Sequence, residues 1–298
     1  MRFKIILSIA FSILIITGLP GCDKKIPGPV DDDTVTIGTF NIKWLGDGLR
    51  DRFDRTDEDY ELIARVIEDS GMEIVGLQEI ENEEALYRII KYLPDFSFYV
   101  GKKGRAQNLA VLYKKYIDLT YMGEYLPVAI ETGRHRPGLI IQAKKGNFDW
   151  LMMVVHYKAT SRYDDTPEKL ALSYSTREMQ AEKTTHWVDS VMLAGPEEDI
   201  IIVGDFNDNP EREKNPTLGE LANHPNIFFL TSHLQSCKYE GWDVIDHIAV
   251  TGEAKMRYLN NSARVFDFYS SLPEQQADLV SDHCPVLAQF EIKSPDND

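Results

Sequence analysis

The chain has 298 residues, 43% of them hydrophobic and 27% charged, and its 32 basic and 48 acidic side chains give a formal net charge of −16 at pH 7. This composition excludes a disordered, collagen-like or polytopic membrane protein. The acidity excludes a passive polyanion binder: any contact with nucleic acid has to come from local basic groups or a bound cation.

In chain order, Arg2 and Lys4 precede an apolar run over 5–19, too short for a comfortable bilayer span and of signal-peptide length. Residues 22–33 are rich in aspartate, proline and glycine and read as a polar tether. From Thr34 onward no linker, repeat or low-complexity run interrupts the chain. One domain is therefore expected over 34–293, with a polar tail over 294–298. Strand-like runs fall at 35–41, 73–78, 109–113, 139–143, 150–156, 200–203, 248–250 and 286–290. Helical spacing appears over 57–69, where Leu62, Ile63, Val66 and Ile67 share a face behind Thr56 as N-cap, and over 83–92 and 175–193. Helices alternate with strands early, and strands come in groups later. That predicts the α/β class: a four-layer α/β sandwich, two mixed sheets face to face with helices outside. A closed (β/α)₈ barrel is disfavoured, because too many strands succeed one another without a helix.

Six apolar runs end in polar residues of catalytic type: Asn41 after Thr39-Phe40, Gln78-Glu79 after Gly76-Leu77, His156 after Val154-Val155, Asp205 and Asn207 in Gly204-Asp205-Phe206-Asn207, Asp246-His247 after Val244-Ile245, and Asp282-His283 after Val280-Ser281. Buried strands that emerge into carboxylates, amides and imidazoles predict a polar cleft over an apolar floor. A cation and mutual hydrogen bonds would offset the cost of burying those charges. The glycine of Gly-Asp-Phe-Asn permits a tight turn, and Asp205 and Asn207 then point the same way at spacing two.

Two resemblances rest on these residues. Leu19-Pro20-Gly21-Cys22 resembles the cleavage box of bacterial lipoproteins, with Pro20 an unusual occupant. It implies that 1–21 is removed, that Cys22 is lipidated, and that the protein is extracytoplasmic and membrane-anchored, on the periplasmic or cell-surface face. The alternative is a plain signal peptide with an incidental cysteine. Cys237 and Cys284 either pair, as an oxidising compartment allows, or stay free thiols.

The order Thr-Phe-Asn-Ile (39–42), Leu-Gln-Glu-Ile-Glu-Asn (77–82), Val-His-Tyr-Lys (155–158), Gly-Asp-Phe-Asn-Asp (204–208), Ile-Asp-His-Ile (245–248) and Ser-Asp-His-Cys-Pro-Val (281–286) resembles the endonuclease/exonuclease/phosphatase superfamily, in its deoxyribonuclease-like form. Arg177 and Gln180 also resemble a helix pattern of its secreted nuclease-like branch. The resemblance implies a Mg²⁺- or Mn²⁺-dependent phosphoester hydrolase using in-line attack by water. It makes Glu79 the principal metal ligand, supported by Asn41 through its amide oxygen or a bridging water and by Asp282. It makes Asp246 and His283 a dyad, Asp205 the group that positions or deprotonates the water, and Asn207 a hydrogen-bond donor to the transition state. His156 would protonate the leaving oxygen or bind phosphate. Arg136 would contact phosphate, with Arg134 competing for that role, and Lys158 would add positive charge. Lys43 stands where the AP-endonuclease branch has an aspartate, which argues against that branch's accessory metal site. Cys284, beside the Asp-His pair, is a second departure; it either makes the site redox-sensitive or is inert packing. The expected partner is a nucleic acid or another phosphoester, met at a membrane through the lipid anchor. The competing functions are a phosphatase or phosphodiesterase on a lipid or small phosphoester, and a non-catalytic binding lipoprotein on the same scaffold.

Overall fold

The computed structural model describes residues 33–195 and 197–296. The signal-like segment, Cys22 and nearly all of the tether lie outside the described residues. Among the described residues twelve strands and six α-helices succeed one another as β1 (Thr34–Leu45), α1 (Asp57–Ser70), β2 (Ile74–Ile80), α2 (Glu83–Ile90), β3 (Phe96–Val100), β4 (Asn108–Lys114), β5 (Asp118–Tyr125), β6 (Gly138–Lys145), β7 (Phe148–His156), α3 (Pro167–Ala194), β8 (Ile200–Asp205), α4 (Gly219–Ala222), β9 (Ile227–Phe229), β10 (Asp246–Thr251), α5 (Gly252–Arg257), β11 (Arg264–Val265), α6 (Glu274–Val280) and β12 (Val286–Glu291).

The strands form two six-stranded sheets, ordered β11-β12-β1-β2-β4-β3 and β5-β6-β7-β8-β10-β9. Each is mixed: β1/β2 and β7/β8 run parallel and the other neighbours run antiparallel. The inner faces meet in one core, with Val35, Ile37 and Phe290 of the first sheet against Trp150, Val154, Ile201 and Val203 of the second. Helices α1, α2 and α6 cover the outer face of the first sheet through Tyr60, Ile63, Leu86 and Val280, packed on Phe40, Leu77 and Leu112. Helix α3 covers the second sheet through Ala181, Trp187 and Val188 against Met153, Val155, Ile200 and Ile202. The four layers are the expected sandwich. Both faces of the central strands are covered, which is why Ile200–Val203 is an unbroken apolar run rather than an alternating one.

Helix α1 begins where the sequence places it, with Thr56 and Asp59 forming a reciprocal capping box, and ends at Gly71 in the left-handed conformation. Helix α3 starts eight residues before the expected 175, at Pro167 behind Thr166 as N-cap. The first two turns of α3, over 167–174, thus precede the stretch where the sequence pattern shows a helix. Strands β3, β5, β9 and β11 were not expected. All four are edge strands, and edge strands lack the apolar alternation that betrays a buried one. Cys237 and Cys284 are joined in a disulfide, with Cα atoms 6.3 Å apart, which resolves the open alternative. Among the described residues no helix is long and apolar enough to cross a membrane.

Gly204 serves another purpose than the expected tight turn. It sits inside β8, opposite Val155 and His247, with φ +153°, and a Cβ there would lie 2.0 Å from the Val155 carbonyl oxygen. The close approach of β7 to β8 at this point requires a hydrogen in place of a side chain. Gly204→Ala is expected to destabilise the fold by about 2–3 kcal/mol. Urea unfolding measures this, and a loss within error of zero would refute the close-approach account.

Candidate active site

Strand direction gathers the polar residues. In the parallel pair β1/β2, Asn41 lies level with Gln78 and one residue short of Glu79. In the parallel pair β7/β8, His156 lies level with Asp205. Antiparallel β10 begins at Asp246, directly opposite Asp205. Antiparallel β12 begins beside the end of β1, Val286 opposite Thr39, so His283 enters at the same edge. Six strand ends from two sheets therefore open onto one rim of the sandwich.

Glu79 is aimed by a bulge. Between Asn41/Gln78 and Leu45/Ile80, β1 has three residues where β2 has one. Lys43 (φ 43°), Trp44 (φ 55°) and Glu79 (φ 64°) are all left-handed, each at a cost of roughly 1–3 kcal/mol that the surroundings must offset. The Glu79 carboxylate accepts from Trp44 N–H at 3.0 Å and from Asn41 Nδ2 at 3.4 Å. Asn41 Nδ2 also donates to Asp205 Oδ2 at 3.0 Å, while its Oδ1 accepts from Lys43 N–H. The Asn41 amide oxygen is thus engaged by the bulge, and its N–H₂ bridges two carboxylates. Lys43 turns its ammonium to the Asp278 carbonyl.

His283 Nδ1 and Asp246 Oδ2 are 2.7 Å apart. Burial acts to lower the His283 pKa, but Asp246, Asp205 and Asp282 outweigh it and hold the imidazole well above its usual range, as imidazolium. Burial, and then the Asp246 charge, push Asp205 up to about 7, while Asn207 N–H donates to its Oδ1 at 2.9 Å. Asn207 is left-handed (φ 53°), and its side-chain amide donates to the Tyr157 carbonyl.

His156 is buried behind Asp205, with Nε2 3.5 Å from Asp205 Oδ2. Burial, then the Arg136 and His283 charges, hold it neutral. The proton-donor role expected of it does not fit a neutral, solvent-shielded ring; His156 backs Asp205 instead. Arg136 is the arginine brought to the site: its guanidinium binds Gln107, and its charge faces Glu79 and Asp205. Arg134 is exposed and paired with Glu131. Lys158 is not at the site. Its ammonium is taken by Asp164 and Ser173, so the expected cleft charge is corrected to a loop anchor. Arg177 and Gln180 hold the same loop, donating to the Lys158 carbonyl and accepting from its N–H.

An open pocket of about 810 Å³ lies against the dyad, lined by Asn207, Asp246, Asp282 and His283, by Arg177 and Arg212, and by the exposed pair Tyr239 and Trp242, whose ring centroids are 5.6 Å apart. The disulfide forms part of its wall. Sequence reasoning assigned no role to Ser281. Its hydroxyl donates to the Asn41 carbonyl at 2.6 Å and accepts from His283 N–H at 3.0 Å. It thus ties the dyad to the Glu79 side, and a serine beside an Asp-His pair carries no signal of that.

The donor set suits a hard divalent cation. Asp205, Asp246 and His283 offer atoms within 4.8 Å of one another, and the buried Asp246 Oδ1 has no hydrogen-bond partner among the described residues. His283 as imidazolium compensates Asp246. Glu79 and Asp282, oxygen-donating and in no ion pair among the described residues, are the carboxylates that remain for a cation.

This architecture and rim are those of a phosphoesterase fold. The model of the endonuclease/exonuclease/phosphatase family matches residues 28–269, and the chain belongs to that family. Truncated TDP2 from Caenorhabditis elegans superposes with a TM-score of 0.59 at 16% identity, covering 87% of this chain and 98% of that one. The human nocturnin catalytic domain, solved with a bound sulfate anion, gives 0.58 at 14% identity, covering 86% and 94%. A mannosyl-6-phosphatase of Bacteroides thetaiotaomicron gives 0.55 at 16% identity, covering 85% and 98%. No curated protein sequence matches the chain significantly.

In an NMR titration of the metal-free protein, His283 is expected to stay protonated above the ordinary imidazole midpoint, while His156 stays neutral below it. Asp246→Asn removes the largest raising charge and leaves burial opposed only by Asp205 and Asp282, so the His283 midpoint should fall. Because the folded-state pKa is raised, the pair's stabilisation is complete below pH 6.5 and is lost as pH rises through the folded value. That alkaline loss should shrink in Asp246→Asn. An unmoved His283 midpoint would contradict the dyad.

Proposed function

We propose that the protein is a divalent-metal-dependent phosphodiesterase acting on DNA or RNA, tethered through Cys22 outside the cytoplasm. One observation carries the hydrolase reading: Asn41 bonds both Glu79 and Asp205, and Asp205 lies opposite the Asp246 that holds His283. Glu79, with Asp282 as the second candidate ligand, would hold a Mg²⁺ or Mn²⁺ ion, which would supply Lewis-acid polarisation of the phosphoryl group. Asp205 orients a water and accepts its proton. His283 as imidazolium contacts the phosphoryl oxygens and supplies a proton to the leaving oxygen, and Asp246 holds the ring for that transfer. Asn207 and Arg136 donate to the charge that develops on oxygen.

The polynucleotide reading is supported by the open pocket and by Tyr239 and Trp242 on its rim, since exposed aromatic rings give bases a stacking surface. The extracytoplasmic reading is supported by the apolar run over 5–19 and by the disulfide, which persists in oxidising compartments. A second reading, a phosphatase or phosphodiesterase on a lipid or small phosphoester, is favoured by the net charge of −16 and by the mannosyl-6-phosphatase neighbour.

The test is a hydrolysis panel of supercoiled plasmid, RNA, bis-p-nitrophenyl phosphate, sugar phosphates and phospholipids with Mg²⁺ or Mn²⁺. Plasmid nicking or RNA cleavage, stopped by EDTA and reduced about a thousandfold in His283→Ala and Glu79→Gln, is the expected result. Release of phosphate from sugar or lipid esters alone would replace it with the second reading. No hydrolysis of any substrate would remove both and leave a binding protein.

A further inference from the structure

Arg55 belongs to none of the motifs above. It sits between β1 and α1, 8% exposed, and among the described residues it makes no ion pair. Its hydrogen bonds run to main-chain carbonyls: Nη1 to Trp44 at 2.8 Å, Nη2 to Lys43 at 2.9 Å and to Ile42 at 3.2 Å, and Nε to Leu279 at 2.8 Å. Burying a guanidinium is costly, and a carboxylate partner or an apolar residue would serve better for stability alone. This one instead binds four carbonyls in two separate segments.

Those segments are the two arms of the site. Residues 42–44 form the bulge, with left-handed Lys43 and Trp44, and the Trp44 N–H points at Glu79 Oε2. Leu279 lies in α6, two residues before the Ser281 that binds the Asn41 carbonyl and the His283 N–H. A planar fork with several fixed donors can hold three successive carbonyls and a fourth across the gap; an ammonium cannot.

We propose that Arg55 is a positioning residue for the cation-binding carboxylate. It locks the left-handed turn that presents Trp44 N–H to Glu79, and it sets the separation between Glu79 and the His283 segment. The proposal rests on the reading of Glu79 as the carboxylate that holds the cation. Without the fork, residues 42–44 relax toward extended backbone, Trp44 N–H leaves Glu79, and the carboxylate loses its aim.

The experiment titrates Mn²⁺ into the metal-free full chain by calorimetry, for wild type, Arg55→Lys, Arg55→Met and Glu79→Gln. Melting curves and hydrolysis of bis-p-nitrophenyl phosphate are run in parallel. Arg55→Lys keeps the buried charge and decides the matter if Arg55→Met does not fold. It is expected to melt near wild type while its Mn²⁺ Kd rises about ten- to a hundredfold. The Mn²⁺ concentration for half-maximal activity should rise in step, with a smaller fall in kcat at saturating Mn²⁺. If Glu79→Gln weakens Mn²⁺ binding and Arg55→Lys binds as wild type does, the proposal is overturned and the Glu79 reading stands. If Glu79→Gln leaves the affinity unchanged, the Glu79 reading fails and the proposal falls with it.

Discussion

The hydrogen bond from Asn41 Nδ2 to Asp205 Oδ2 crosses from one sheet to the other. Everything else at the rim is arranged around that crossing. Asn41 can reach Asp205 only because the two sheets pack face to face through small and branched side chains, with Gly76 set against Val154 and Val203. The same amide nitrogen reaches Glu79 on the strand beside it. One neutral donor thus fixes two carboxylates on two sheets. A charged group there would bind one carboxylate strongly and leave the other uncompensated.

The bulge and the dyad depend on that crossing in different ways. The bulge keeps the Asn41 amide oxygen occupied, so the nitrogen faces the site. The dyad sits one strand further along: Asp246 pairs in register with Asp205, and its charge raises Asp205 while holding His283 charged. Asp205 and His283 are therefore both raised by the same carboxylate. Ser281 closes the circuit by joining the His283 main chain to the Asn41 carbonyl. The rim is a ring of hydrogen bonds returning to one asparagine.

The central strands were legible because they are buried on both faces and read as apolar runs with abrupt polar ends. The same abruptness marked Asn41, Glu79, Asp205, Asp246 and His283, and the two strand directions in each sheet bring those ends together. What was illegible is of two kinds. Edge strands such as β5, with Asp118, Thr120 and Tyr121 exposed or half-exposed, obey no burial pattern. Long polar side chains hide their partners: Lys158 comes two residues after a motif histidine yet turns to Asp164, and Arg55 precedes a helix cap yet reaches back to three carbonyls. Spacing predicts where a side chain starts, and for a four-carbon stem or a guanidinium it does not predict where the charge ends. The glycine of Gly-Asp-Phe-Asn shows a third limit. Its residue type was informative, but the reason, an approach of Val155 O to 2.0 Å of any Cβ, belongs to a contact with the neighbouring strand, far away in the chain.

Charge placement connects the rim to the whole molecule. A net charge of −16 repels a phosphoester at long range, but screening confines that repulsion to about 8 Å at physiological ionic strength. Within that distance the groups at the pocket decide. The positive charges facing the carboxylates are few and held in place: His283 on Asp246, and Arg136 on Gln107. Arg55 faces them through the main chain it binds. Lys158, which would have added a mobile cation, is withdrawn to Asp164. On the proposed reading the site is short of positive charge until a divalent ion arrives at Glu79. The cation would then contribute to substrate recognition as well as to chemistry, and on that reading an acidic protein holds a phosphoester best in its loaded state.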